Sequence, residues 1–247
     1  MPRRVALAIV LVLIPLLCWA WIVALSRDMY GPMTGASAWM MTANWDAVRL
    51  TLLWAMWAVM MTAMMLPSAA PVMMLYAAAA RRRGETSGRP LHVFALAAGY
   101  VLVWAVFSVG AVALQRILSI LLVLSPMMEF TSRRAGGVVL VVAGLYQLTP
   151  LKWACLQTCR SPLSLLMAGW REGRSGAFRM GVTHGIYCVG CCWALMLLLF
   201  VGGVMNLLVI VALTAVVAIE KLTPFGARSA RLSGVLLMIL AVWMIAR

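Results

Sequence analysis

Residues 180–199 read Met-Gly-Val-Thr-His-Gly-Ile-Tyr-Cys-Val-Gly-Cys-Cys-Trp-Ala-Leu-Met-Leu-Leu-Leu. This mostly apolar stretch has the length of about 20 residues that a helix needs to cross a bilayer. On a helix that turns by about 100° per residue, His184, Cys188 and Cys191 fall within a sector of roughly 60°. Cys192 lies about 80° from His184 and is a weaker candidate. The stretch therefore predicts a membrane-spanning helix with an imidazole and thiols on one face, which is typical of soft-metal or redox sites.

The rest of the chain has the composition of a membrane protein. Hydrophobic residues make up 65% of the 247 residues and the mean hydropathy is +1.03, whereas soluble domains contain about 45–50% apolar residues. A segment in lipid must satisfy its backbone hydrogen bonds internally, which favours helices. We therefore expect one all-α membrane domain over residues 1–247, a polytopic bundle of about seven transmembrane helices in the lipid bilayer. The spans are expected at residues 5–25, 48–66 with a continuation to 80, 91–114, 136–156, 181–201, 206–220 and 232–246.

The net charge of +14 is explained by membrane topology. Cytoplasmic loops of membrane proteins carry an excess of Lys and Arg. With the N-terminus in the cytoplasm, 14 of the 20 basic residues fall on the cytoplasmic side. The six on the other side are Arg27, Arg49, Arg116, Arg133, Arg134 and Arg247. The asymmetry predicts a cytoplasmic N-terminus, and no nucleic-acid partner is needed to account for the charge.

Two segments depart from simple spanning helices. The second span contains Pro67 and Pro71, which remove backbone donors and predict a break. Either this break faces a cavity in the protein or it is a packing kink, and the sequence leaves both open. Residues 117–128 are apolar but too short to span, so they are expected in the outer interface or as a re-entrant piece.

Five of the six cysteines form two groups near the cytoplasmic side. Adjacent antiparallel helices would bring the end of the fourth span next to the beginning of the fifth. Thiolates and an imidazole suit Cu(I), and Zn(II) fits the same donors. Free cysteines also occur as small hydrophobic core residues, but two groups of them favour a metal site. The expected ligands are Cys155, Cys159, His184, Cys188, Cys191 and Cys192.

The second span is rich in methionine. Eleven of the 20 methionines lie within residues 29–74, and two pairs are spaced at i, i+4 on one helix. A neutral thioether holds Cu(I) without deprotonation, so these side chains suit a path for copper, with pliable core packing as the alternative. The two pairs are Met60 with Met64 and Met61 with Met65.

Other chemistry has little support in the sequence. No Ser/His/Asp arrangement and no phosphate-binding glycine loop is visible, so an enzyme is the less favoured class. Glu220 and Lys221 end the sixth span, where we expect an interfacial ion pair or a lysine that snorkels to the surface.

Several motifs are similar to those of a known bacterial family. They read Ala63-Met-Met-Leu-Pro67, Leu145-Tyr-Gln-Leu-Thr-Pro-Leu-Lys152 with Cys155 and Cys159-Arg-Ser-Pro162, His184-Gly-Ile-Tyr-Cys-Val-Gly-Cys-Cys-Trp193, and Gly203-Val-Met-Asn206 followed by Glu220-Lys221. Over residues 44–234 the chain resembles the bacterial predicted metal-binding integral membrane proteins filed as domain of unknown function 2182. The resemblance implies metal binding and a role as a copper chaperone, and with the apolar spans it predicts the bacterial inner (cytoplasmic) membrane.

The sequence thus predicts a membrane protein that binds Cu(I) for copper delivery, insertion or transport. Its expected partner is a soluble copper carrier or a recipient cuproprotein. The alternative is a membrane thiol/disulfide oxidoreductase that uses Cys188 with Cys191 and Cys155 with Cys159, because closely spaced thiols also form disulfides. Thiols near a reducing cytoplasm are poorly placed to drive external disulfide formation, which favours copper.

Overall fold

The computed structural model describes residues 3–42, 44–82, 90–125, 127–161, 170 and 173–246, and within these ranges the regular structure is entirely helical. The first helix, α1, joins Arg3–Ala8, a π-helical segment at Ile9–Leu13 and Ile14–Met29. The others are α2 (Ala36–Met40), α3 (Ala47–Met65), α4 (Ala70–Arg82), α5 (Pro90–Ile120), α6 (Arg133–Gln147), α7 (Pro150–Arg160), α8 (Gly173–Met196), α9 (Leu199–Gly202), α10 (Leu207–Leu222) and α11 (Gly226–Ala246). The predicted all-α class is confirmed.

Several of these helices are long and apolar enough to cross a membrane. Within the described residues five qualify singly, and the bent pair of α6 and α7 makes a sixth if it counts as one span. The five are Val5–Met29, Ala47–Met65, Pro90–Ile120, Gly173–Gly202 and Gly226–Ala246. The span expected at residues 206–220 corresponds to α10, whose 16 residues fall short of the roughly 17–25 of a spanning helix. The count of seven therefore stays a prediction.

The break in the second span is confirmed. Helix α3 ends at Met65, a 3-10 turn covers Pro67–Ala69, and α4 begins at Ala70. Pro71 occupies the first turn of α4, where a missing N–H leaves no helical hydrogen bond unmade. Leu66 and Ala69 are fully buried, so the break packs inside the protein.

A second break divides the predicted span 136–156. Thr149 caps α7 by accepting a hydrogen bond from the backbone N–H of Lys152 at 3.2 Å, and Pro150 begins the new helix. The axes of α6 and α7 differ in direction by 63°. This bend carries the side chains of α7 across the face of α8 instead of continuing along α6.

Helices α5 and α8 make the most extensive contact in the fold, and glycine allows it. A Cβ atom on Gly99 would lie 2.1 Å from the carbonyl oxygen of Phe178, and one on Gly181 would lie 2.0 Å from that of Leu96. Helix α7 packs on the opposite side of α8 and on α10. Helix α8 therefore lies at the centre of the bundle, between α5 and α7.

The described part of residues 117–128 forms the end of α5 and a loop, and its position relative to the membrane stays a prediction. Helix α5 continues to Ile120, and the chain then turns back through an isolated antiparallel bridge between Leu124 and Phe130. The backbone N–H of Phe130 donates to the carbonyl oxygen of Phe200 at 3.0 Å. The segment is thus a helix end followed by a tight loop, whose backbone N–H groups donate mainly to carbonyl oxygens of the same segment.

Candidate metal centre

The closest approach of thiols from different helices joins α7 to α8. The Sγ atoms of Cys159 and Cys191 lie 3.9 Å apart, and those of Cys191 and Cys192 lie 3.2 Å apart. With a metal–sulfur bond of about 2.3 Å, two sulfurs on one ion lie about 3.8 Å apart in a tetrahedron and up to about 4.6 Å apart on opposite sides. Cys159 and Cys191 are therefore spaced to share one ion. Cys192, the weaker candidate on the helical wheel, lies directly beside them.

Cys188 lies one turn earlier on α8, in a more polar environment. Its Sγ is 2.8 Å from the ammonium of Lys221 on α10 and 2.9 Å from the hydroxyl of Tyr100 on α5. The Tyr100 hydroxyl donates its single proton to the carbonyl oxygen of Met65 at 2.9 Å. Lys221 consequently donates a hydrogen bond to the sulfur of Cys188, and the thiol of Cys188 can donate to the oxygen of Tyr100.

His184 occupies the next turn toward the start of α8. Its ring stacks on that of Tyr100 with the centroids 5.4 Å apart and an interplanar angle of 25°. The ring is buried, and Nδ1 has no hydrogen-bond partner. A buried imidazole nitrogen without a partner retains a free donor or acceptor position, which is what a metal ligand requires.

Cys155 is the outermost of the expected thiols. It is half-buried, and its Sγ faces Gly190, where an added Cβ would come within 2.9 Å of the sulfur. The hydroxyl of Tyr146 donates to the carbonyl oxygen of the same glycine. The absence of a side chain at Gly190 thus leaves room for Cys155 next to the buried thiols.

A buried ionic network lies next to the thiols of α7 and α8. The ammonium of Lys152 lies 2.6 Å from a carboxylate oxygen of Glu220 and also donates to the carbonyl oxygen of Cys191. The amide of Gln147 donates to the other Glu220 oxygen at 2.6 Å, and Ser233 contributes a further hydrogen bond at 3.1 Å. Lys152 and Glu220 are each 1% exposed. The network ties α6, α7, α8, α10 and α11 together around the thiols.

These contacts correct the expectation for the end of α10. Glu220 pairs with Lys152 on α7 instead of forming an interfacial pair, and Lys221 points into the protein at 8% exposure instead of snorkelling. A side chain of either kind is long enough to reach the surface, but the partners available on α7 and α8 hold it inside. Both lysines are buried, so neither adds to the aqueous positive charge from which the orientation was inferred.

The methionines of α3 are buried, and Met65 differs from the others because it lies next to the thiol region. Met60, Met61, Met64 and Met65 are all at most 1% exposed. Met65 adjoins the thiol region, because its sulfur lies 4.0 Å from the ammonium of Lys221. The packing and relay interpretations are both compatible with this burial.

Sequence reasoning gave no site role to three residues of the centre. It interpreted Lys221 as an interfacial or snorkelling side chain, and Lys152 could have been singled out, since ionisable residues inside a membrane span are functional candidates by default. Tyr100 carries no such signal, because an aromatic residue in an apolar helix has the pattern of ordinary core. Among the residues that the structure describes, no three His, Cys, Asp or Glu side chains converge as a ready-made metal cluster.

The architecture defines an all-helical protein whose apolar bundle encloses a thiol cluster beside buried charges. Residues 54–244 match the model of the PpoB2 family, described as copper chaperones, and the chain belongs to this family. No curated protein and no solved structure matches the chain. The family establishes a copper-handling role in agreement with the prediction from the motifs.

Proposed function

We propose that this protein is a membrane-embedded copper chaperone that binds Cu(I) between α7 and α8. The observation that carries the proposal is the 3.9 Å separation of the Cys159 and Cys191 sulfurs across two helices. Cys188 and Cys192 complete the pool of thiols, and Cys155 and His184 lie at its edges. Soft thiolates select Cu(I), and the copper-chaperone family supports this metal.

A two-thiolate arrangement fits Cu(I) better than Zn(II). Structural zinc sites use four protein ligands in a tetrahedron, and the described residues do not converge in such a set. Cu(I) is satisfied by two soft donors, and a site with few ligands also releases its ion by ligand exchange. A chaperone needs both properties, since it binds copper and then gives it up to a recipient.

The direct test is the metal content and Cu(I) affinity of the full-length protein, purified in detergent under reducing conditions. Elemental analysis after loading with Cu(I) or Zn(II) should give stoichiometric copper in the wild type. Cys159→Ser and Cys191→Ser should each lower the Cu(I) affinity by at least about 100-fold, equivalent to about 2.8 kcal/mol, in competition with a chromophoric Cu(I) chelator.

Cys18→Ser is the matched control. Cys18 lies on α1, away from the helices that carry the other five cysteines, and its replacement should leave copper binding unchanged. A wild-type protein without stoichiometric copper, or a Cys18 variant that loses as much copper as the Cys191 variant, would overturn the proposed site.

We infer that copper reaches or leaves the centre along the methionines of α3. Met65 is next to Lys221 and Tyr100, which both contact Cys188, so α3 adjoins the thiol cluster at this end. Met60, Met61 and Met64 continue from there along the same helix. The proposed partner is a soluble copper carrier or a recipient cuproprotein that exchanges Cu(I) with the bundle.

The proposed location is the bacterial inner membrane with the N-terminus in the cytoplasm. The apolar spanning helices and the distribution of arginines support this orientation. Reporter fusions at Gly84 and Arg174 should both report the cytoplasm. An external signal at either position would reverse the orientation.

A thiol/disulfide oxidoreductase is the second candidate, and one distance favours it. The 3.9 Å between Cys159 and Cys191 suits an interhelical disulfide after a small movement, so the reactive pair would combine one thiol from each predicted group. Alkylation trapping in cells distinguishes the two functions. A substantial Cys159–Cys191 disulfide that depends on quinone would favour the oxidoreductase, whereas fully reduced thiols favour copper.

We further infer that the family suggested by the motifs, domain of unknown function 2182, is this copper-chaperone family. The motif resemblance covers residues 44–234 and the family match covers residues 54–244, so both rest on nearly the same stretch.

A further inference from the structure

The ammonium of Lys221 is a buried positive charge at the thiol cluster. It is 8% exposed and lies 2.8 Å from the Sγ of Cys188, with Ser68 Oγ at 3.4 Å and the Met65 sulfur at 4.0 Å. Over the described ranges, the ion pair found within 4.0 Å joins Lys152 to Glu220, so no described carboxylate pairs with Lys221. A buried cation of this kind needs a negative partner, and the adjacent thiol cluster of α7 and α8 can provide one when it binds a metal ion as thiolates.

We propose that Lys221 determines the metal preference of the centre, favouring a monovalent soft cation over Zn(II). The inference rests on the proposed function and adds a residue that does not touch the metal. With Cys188 as a neutral thiol, Cu(I) bound by the thiolates of Cys159 and Cys191 forms a complex with one net negative charge, which the nearby ammonium neutralises. Zn(II) bound by two thiolates is already neutral, so the ammonium would remain uncompensated in the protein interior.

The position of Lys221 on the fold agrees with a selective role. Lys152, the other buried lysine, is occupied by Glu220 and by the carbonyl oxygen of Cys191, whereas Lys221 contacts the sulfur of Cys188 directly. Ser68 and Met65 flank it from the break between α3 and α4. The proline break therefore provides the pocket in which the ammonium sits beside Cys188.

The test compares Lys221→Met, which keeps length and apolar volume, with Lys221→Arg, which keeps the charge. Affinities for Cu(I), Ag(I) and Zn(II) are measured on full-length protein in detergent by competition with chromophoric chelators. The Met variant should lose at least about tenfold in affinity for Cu(I) and Ag(I), equivalent to about 1.4 kcal/mol, and keep or gain affinity for Zn(II). The Arg variant should retain the wild-type ratio of Cu(I) affinity to Zn(II) affinity within about threefold.

Thermal unfolding separates selectivity from structural damage. Removing an unpaired buried charge should leave the melting temperature unchanged or raise it. If Lys221→Met does not fold, Lys221→Gln keeps the contact with Ser68 without the charge and should show the same loss of selectivity.

The outcomes also separate this inference from the proposed function. An unchanged Cu(I)-to-Zn(II) ratio in the uncharged variants, or equal losses for both metals, would overturn the role of Lys221 and leave the copper centre intact. A wild-type protein that binds no Cu(I) would overturn the copper centre and, with it, the role of Lys221.

Discussion

The bundle holds two groups of buried sulfur atoms, and they differ in their surroundings. The thiols of α7 and α8 lie beside Lys152, Glu220 and Lys221, whereas most of the methionine sulfurs of α3 lie among apolar side chains. Both groups offer soft donors, but only a thiolate carries charge. Tight binding of a cation is favoured by charged thiolates, and easy passage is favoured by neutral thioethers. This fold places a charged environment and an apolar one next to each other.

We expect the ionic network around the thiols to contribute more to the stability of the protein than the methionine sulfurs of α3 do. Glu220→Gln leaves the ammonium of Lys152 buried without its anion, so we expect a loss of about 3–5 kcal/mol in the free energy of unfolding. The measurement is reversible unfolding in mixed detergent micelles. Glu129→Gln is the control, because Glu129 is exposed, and an equal loss in both variants would contradict the structural role of the network.

The methionine helix should affect transfer more than binding. Replacing Met60, Met61, Met64 and Met65 together by Leu removes four thioethers, while each swap should cost less than about 1.5 kcal/mol because volume and apolarity are nearly kept. We expect copper delivery in cells to fall about tenfold, while the Cu(I) affinity of the thiols stays within about threefold of wild type, a difference of less than about 0.7 kcal/mol.

This result requires that the variant is expressed as well as the wild type and retains the same copper content in detergent. If cellular copper handling stays at the wild-type level under these conditions, the methionines are packing residues. The thiols and the methionine sulfurs would then differ in chemistry, but the methionines would have no separate role in copper transfer.

Cys155 should give the smallest effect, since it lies at the exposed edge of the thiol group. Cys155→Ser should lower the Cu(I) affinity by no more than about threefold, equivalent to about 0.7 kcal/mol, measured by chelator competition. A loss as large as that of Cys191→Ser would place Cys155 among the principal ligands and move the centre toward Gly190.

Sequence reasoning recovered most of the helices because their signals are local. A long apolar run specifies a helix in lipid, and Pro67 specifies a break, whatever the neighbouring helices do. It missed the second break, although Thr149-Pro150 is a helix-start signal, because the apolar pattern continues through it. The expectation that residues 117–128 lie in the outer interface or form a re-entrant piece stays a prediction, and the described part of this segment is the end of α5 with a tight loop.

The sequence by itself determined the helical class, the broken methionine-rich helix and the presence of sulfur and imidazole side chains that are candidate ligands. Only the tertiary structure decided which of these side chains contact each other. Cys159 lies beside Cys191, Glu220 forms an ion pair with Lys152, and Lys221 donates a hydrogen bond to Cys188. The reason is geometric: composition sets how deep a side chain lies, but the rotation and offset of each helix depend on packing between distant segments. Close approach at Gly99 and Gly181 sets the position of α8 against α5, and the bend at Pro150 sets that of α7. Packing of α10 against them brings the charge of Lys221 to the sulfur of Cys188, 33 residues away in the chain.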